Sequence, residues 1–258
     1  MIISHRYKFL FIGLPFSASS AITKDLHEEH DGKPYLRKHS LYHEFVKVAT
    51  DEEKKYFVFA VLRNPMEITV TVYEKMKSNS KGNFTNPDLF TENGGYISKK
   101  HRERFNFIQE NNATFQEYFI KFFNKPLDNF TSITLDNCNY IIRYENIAED
   151  YKTVLIKAGV ENPKPLSVTN KTSGKKKDIT EYYTEEVQRL ALFVFGPFLS
   201  KYNYEFPDKW INKEVPFSAY FLFKIGKIAR RLKWKIKKHS NRKSIKGSIY
   251  GDMQRKKN

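Results

Sequence analysis

A single cysteine, Cys138, stands in a chain of 258 residues. With no second thiol, an intramolecular disulfide cannot form and a zinc site built on several cysteines is excluded, which suits a reducing compartment. A long apolar run is equally absent. No stretch approaches the roughly 18 to 20 apolar residues that cross a membrane. The N-terminal stretch MIISHRYKFLFIGLPF is short, is broken by Pro15 and has no small-residue cleavage pattern behind it, so it reads as a buried strand and not as a signal peptide. A soluble, cytoplasmic protein is expected. On that reading, the glycosylation-like tripeptides at Asn83, Asn112, Asn129 and Asn170 reflect an Asn-rich composition. No internal repeat is present.

Acidic residues are scarce in one place. From Ile211 to the end there are 15 Lys and Arg against 2 Asp and Glu, so this tail carries +13 of the formal charge of +16 and leaves +3 for residues 1–210. A nearly balanced globular part does not indicate a nucleic-acid groove across the fold.

What is present is an alternation of short apolar runs with helical patterns. Residues 7–13 (YKFLFIG), 56–62 (YFVFAVL) and 139–144 (NYIIRY) have the aromatic and β-branched character of buried strands. Helical patterns follow at 17–30, 66–77, 99–111, 114–124, 147–158 and 184–198, and residues 78–95 form a polar loop. Strands alternating with helices predict an α/β fold with a mostly parallel sheet covered on both faces, and ligands of such sheets sit at the carboxyl ends of the strands.

Two strand ends run directly into polar turns that open helices: IGLPFSASS at 12–20 and LRNPMEITVT at 62–71. Unpaired N–H groups and the positive end of the dipole make such helix starts anion sites. The nucleotide-hydrolysing P-loop is a poor match, because aligned from Gly13 its phosphate-binding lysine would fall on Ser19.

These two segments resemble the sulfotransferase family, particularly its carbohydrate-type and bacterial branches. There the first loop reads Pro-Lys-Thr-Ala-Gly-Thr-Ser; here it is Pro15-Phe16-Ser17-Ala18-Ser19-Ser20-Ala21. The second reads Arg-Asn-Pro with a serine eight positions beyond the arginine, often with a tyrosine two further; here it is Arg63-Asn64-Pro65 with Thr71 and Tyr73. Weaker likeness continues through Tyr140–Ile147, Asn170-Lys171-Thr172 and Tyr204–Pro207, so that residues 7–210 are covered. The resemblance implies a three-layer P-loop-like fold with a central, mostly parallel sheet of about five strands flanked by helices. It also implies transfer of a sulfuryl group from 3′-phosphoadenosine 5′-phosphosulfate (PAPS) to a hydroxyl acceptor, a carbohydrate being expected, without a metal. Phe16, Ser17, Ala18, Ser19 and Ser20 would then hold the 5′ end of the nucleotide, with Arg63 and Thr71 on the 3′-phosphate and Lys171 near the phosphates.

The sequence departs from the family at two positions: Phe16 replaces the loop lysine that neutralises the departing oxygen, and Ser19 replaces a glycine. A fixed cation in a dry site is worth several kcal/mol to such a reaction. Lys24, Lys38 and Lys171 are the candidates to replace it. His39 is assigned as the base, since an imidazole pKa near ~6.5 suits that role, with Lys38 as its cationic neighbour, on a second strand returning to the active edge. Each position also has a plain structural reading: an ion pair for Arg63, a backbone hydrogen bond within its helix for Thr71, a solvated ring for His39. The alternative functions are a catalytically impaired sulfotransferase-like nucleotide-binding protein, or a basic peripheral-membrane or nucleic-acid-binding protein.

The domain expectation is an α/β domain over 1–210, a basic amphipathic helical extension over 211–240 and a disordered basic tail over 241–258. Phe221, Ile225, Ile228, Leu232 and Ile236 recur at helical spacing among lysines and arginines. That pattern suits either an anionic membrane surface contacted through 220–238 or a helix docked on the protein's own core.

Overall fold

The structure, a computed structural model, describes residues 1–128, 131–166, 178–236 and 249–255. The chain forms two compact units that interleave along the sequence and do not divide at residue 210: Met1–Arg63 with Asn129–Asn170 and Lys227–Asn258, and Asn64–Asp128 with Lys171–Gly226.

The first unit is built on a five-stranded sheet. Its strands are β1 (Ile2–Ser4), β2 (Phe9–Ile12), β3 (Lys33–Pro34), β4 (Phe57–Leu62) and β5 (Tyr140–Arg143), in the order β3-β1-β2-β4-β5. β2, β4 and β5 are parallel, with Ile12 opposite Ala60 and Leu62 opposite Arg143. β1 runs antiparallel to both β2 and β3, so the sheet is mixed and not purely parallel. The three strands expected from apolar runs are the three parallel ones. β1 and β3 are too short to leave a periodic signal, and they complete the edge through a tight reversal at His5–Lys8, where Lys8 takes a left-handed φ of 49°.

Strand alternation sends Phe9, Phe11, Phe59, Val61 and Ile142 to one face. They pack there against Ile22 and Leu26 of α1 (Ser19–Glu29) and Tyr151, Val154 and Leu155 of α7 (Ile147–Lys157). On the other face Leu10, Ile12, Val58 and Ala60 are buried as well. α2 (Tyr42–Val46) and α6 (Thr131–Leu135) complete this unit together with the C-terminal part of α9 (Phe217–Ile236), where Leu41, Ile133 and Trp234 form a small apolar cluster.

Residues 241–248 and 256–258 of the expected disordered tail lie outside the described residues. Ile249–Arg255 is instead helical (α10), and Tyr250 sits in the same core as Phe9 and Ile22. One large aromatic ring supplies the burial that the polar composition of the tail conceals.

The second unit is helical. Asn64 caps α3 (Pro65–Lys77) by accepting the Met66 N–H at 2.9 Å, with Pro65 at the first helical position. Met66, Val70, Tyr73 and Met76 line one face of α3 and meet α4 (Lys99–Glu110), α5 (Phe115–Phe122) and α8 (Glu185–Lys201). The core is aromatic, with Phe119 stacked on Phe195 at 5.6 Å and Phe115 edge-on to Tyr183 at 4.9 Å. α8 runs past its expected end at Phe198 because Pro197 is accommodated within it, where Gly196 admits Val215 so closely that a Cβ would lie 2.4 Å from it. The expected loop at 78–95 holds three short 3₁₀ turns, closed by the pairing of Phe90 with Ile97 and by Arg102, which binds Glu92 and covers the Phe90 ring at 4.1 Å.

Phe119 is fully buried among aromatic partners, and Phe119→Ala is expected to cost about 3–5 kcal/mol of unfolding free energy. Urea denaturation followed by tryptophan fluorescence measures it.

Candidate functional site

The carboxyl ends of β2, β4 and β5 lie side by side, and each delivers a functional segment. β2 runs into Gly13–Ala18, β4 into Arg63 and β5 into Tyr144. Gly13 to Ala18 is a compact turn with left-handed backbone at Phe16 (φ 61°) and Ala18 (φ 54°). Such angles cost a non-glycine residue free energy, and they persist only where surrounding contacts impose them. Two contacts do so: the Ser17 hydroxyl donates to Leu14 O at 2.7 Å, and Arg63 Nη1 donates to Phe16 O at 3.1 Å. The Arg63 guanidinium also lies over the Tyr144 ring, 4.4 Å from its centroid.

The turn opens α1. The first helical bond joins Ile22 N–H to Ala18 O at 3.2 Å, so the N–H groups of Ser19, Ser20 and Ala21 have no acceptor inside the helix. They form the positive end of its dipole.

Over this helix start lies a turn from the segment that follows β3. Lys38 Nζ donates to Ser20 Oγ at 2.7 Å, and His39 Nδ1 is 2.6 Å from Gly13 O. Residues 35–40 form no strand; the strand expected there is confined to two-residue β3 just before it, after which the chain turns, with the Ser40 N–H on Arg37 O at 3.1 Å. The turn is held from behind. The Tyr250 hydroxyl sits among the carbonyls of Met1, Tyr35 and Leu36, and Gln254 donates to Leu36 O. Gly13 is closely approached: a Cβ there would come within 3.1 Å of Ser19 Cβ and 3.3 Å of Lys38 O, so a larger residue would need those neighbours to give by a few tenths of an ångström.

The charges at this site are perturbed. Burial lowers the pKa of the Lys38 ammonium. Burial also pushes His39 down to about 4, helped by the Lys38 and Met1 cations and opposed by its bond to Gly13. His39 as a whole residue is exposed, and it is held by its bond through Nδ1 to Gly13 O. Because a carbonyl only accepts, Nδ1 carries the proton and Nε2 is left with a lone pair.

The remaining expected residues divide. Ser17 is fully buried and its hydroxyl is used within the turn. Ser19 is buried and Phe16 exposed. Lys24 lies on the outer side of α1 beside Glu28, which removes it as the replacement cation. Thr71 belongs to the second unit; its hydroxyl is buried and has no hydrogen-bond partner among the described residues, whereas Thr69 bonds Pro65 O at 2.9 Å. Lys171 lies outside the described residues. Gly13 and Tyr144 went unrecognised as contributors: a glycine ending a strand is common, and the aromatic partner of an arginine leaves no spacing signature. The second unit contains a cleft of about 260 Å³ lined by Glu67, Glu205 and Asp208 with Met66, Ile179 and Phe206, but its carboxylates disfavour an anionic ligand. Among the described residues no group of three or more His, Cys, Asp or Glu side chains is placed to hold a metal ion.

No family model, curated protein or solved structure matches this chain. Function is therefore argued from the geometry of the turn and its cation.

The depressed pKa of His39 sets a pH dependence. Between about 4 and the unfolded value near ~6.5 the unfolded chain binds a proton that the folded chain excludes, so stability is lost as pH falls through that window. Urea midpoints measured from pH 7 to pH 4 are expected to fall, and His39→Gln is expected to make that decline shallower. An unchanged slope in the variant contradicts the assignment.

Proposed function

We propose that this protein is a sulfotransferase that binds PAPS at the start of α1 and moves its sulfuryl group to a hydroxyl, with a carbohydrate as the expected acceptor. The observation that carries the reading is the Lys38 ammonium on the Ser20 hydroxyl, which supplies a cation beside a turn whose own lysine position is Phe16. Lys38 thus serves the nucleotide and not chiefly its neighbour His39. The P-loop-like architecture belongs to the same proposal and is supported by the parallel β2-β4-β5 core with a helix start behind β2.

In the proposed reaction the acceptor oxygen forms a bond to sulfur as the bond from sulfur to the 5′-phosphate oxygen breaks. The hydroxyl proton passes to Nε2 of His39, whose tautomer is set by Gly13 O. Negative charge gathering on the departing phosphate would meet Lys38 and the N–H groups at the start of α1. Burial lowers the Lys38 pKa, and a phosphate beside it would favour its charged form.

A second reading keeps the nucleotide and drops the chemistry. It is favoured by the low His39 pKa, which makes a weak base, and by the use of Arg63 to hold Phe16 O. Both readings predict binding of adenosine 3′,5′-bisphosphate by calorimetry. A charged hydrogen bond contributes about 1.5–3 kcal/mol, so Lys38→Ala is expected to weaken binding roughly 10- to 100-fold. In single-turnover transfer from PAPS, His39→Gln is expected to slow the reaction while leaving bisphosphate affinity within about twofold, against the 10²–10⁴ range of general-base effects. Absence of bisphosphate binding at millimolar concentration overturns both readings, and binding without any transfer selects the second.

A further inference from the structure

α9 inverts the arrangement of an ordinary surface helix. Its docked side is satisfied: Ala219, Phe223 and Trp234 are buried. A second apolar face is left over in solvent. Phe217 and Ile236 are each 82% exposed, and Phe221, Ile225, Ile228 and Leu232 are 47–58% exposed. At 100° per residue these six side chains fall in a single stripe about 100° wide along 20 residues. A stripe of this size facing water is unfavourable for a protein that stays in water.

The charges of the helix are equally one-sided. It carries Lys224, Lys227, Arg230, Arg231, Lys233 and Lys235 and no acidic residue. Lys227 and Arg231 bind Asp136 at 2.5 and 2.9 Å, which anchors the docked side. Lys224 and Lys235 border the stripe on one side and Lys233 flanks it on the other, all exposed. The helix is not long and apolar enough to cross a membrane. Leucine, isoleucine and phenylalanine between rows of lysine match a surface that is apolar within and anionic at its rim.

We propose that α9 seats the protein on an anionic lipid bilayer, with the stripe from Phe217 to Ile236 lying among the acyl chains and the bordering lysines on headgroup phosphates. A second copy of the chain is a poorer occupant, because it would bring the same cations and no carboxylate to the stripe. Nucleic acid would engage the lysines and leave the apolar residues wet. The inference is independent of the nucleotide site, and its test does not use nucleotide.

The test is co-sedimentation of the full-length protein with phosphatidylcholine vesicles, with and without phosphatidylserine, alongside the double variant Ile225→Ser/Leu232→Ser. Both positions are exposed, so the variant is expected to keep the native circular dichroism spectrum and every charge of the chain. Binding to the serine-containing vesicles is expected to fall tenfold or more in the variant, and pure phosphatidylcholine vesicles are expected to bind the native protein only weakly. Equal binding by variant and native protein assigns attraction to the basic residues alone and overturns the proposal. So does indifference of the native protein to both vesicles, including the case in which sedimentation equilibrium shows a dimer that the variant loses.

Discussion

Two short hydrogen bonds, Lys38 to Ser20 and His39 to Gly13, are the constraint on which the candidate site depends. They join segments 18 and 26 residues apart in sequence and tie the turn at 35–40 directly to the helix start and the strand end. Bonds involving a charged donor are worth more than neutral ones, and partial burial strengthens them further. The turn cannot drift from its side either, because Tyr250 and Gln254 hold its carbonyls from behind. A helix near the end of the chain therefore helps to fix the geometry of a turn near its beginning.

The site brings its cation to the turn from elsewhere in the chain. The Gly13–Ala18 turn holds itself open with Ser17 and Arg63, in a left-handed backbone that a lysine at position 16 would share no better than phenylalanine does. Charge then arrives from Lys38, at a position where burial already disfavours it. A lysine on the hydroxyl of a helix start, close to that helix's N–H groups, suits a binding site for phosphate groups. The neutral His39 beside it adds an acceptor nitrogen without adding competing charge.

How far this was legible in the sequence follows from how each element is stabilised. β2, β4 and β5 announce themselves because central parallel strands are buried on both faces and read as unbroken apolar runs. α3 was legible from Asn64-Pro65, a cap and a first-turn proline whose effect is local. β1 and β3 were not, since strands of three and two residues owe their existence to neighbours. α10 was hidden for a similar reason: its anchor is a single ring in a core formed by residues more than eighty positions away. At the site, Lys38, His39 and Ser20 were singled out from sequence, but the pairing of Lys38 with Ser20 and of His39 with Gly13 was not, because a hydroxyl and a backbone carbonyl are acceptors that many residues could offer.

The most direct test of the account is an experimental structure with adenosine 3′,5′-bisphosphate bound. The account predicts its 5′-phosphate at the N-terminus of α1, within hydrogen-bonding distance of Lys38 Nζ and the Ser20 hydroxyl. A nucleotide bound elsewhere, or a Lys38 that stays on Ser20 while the phosphate is met by other residues, would contradict it.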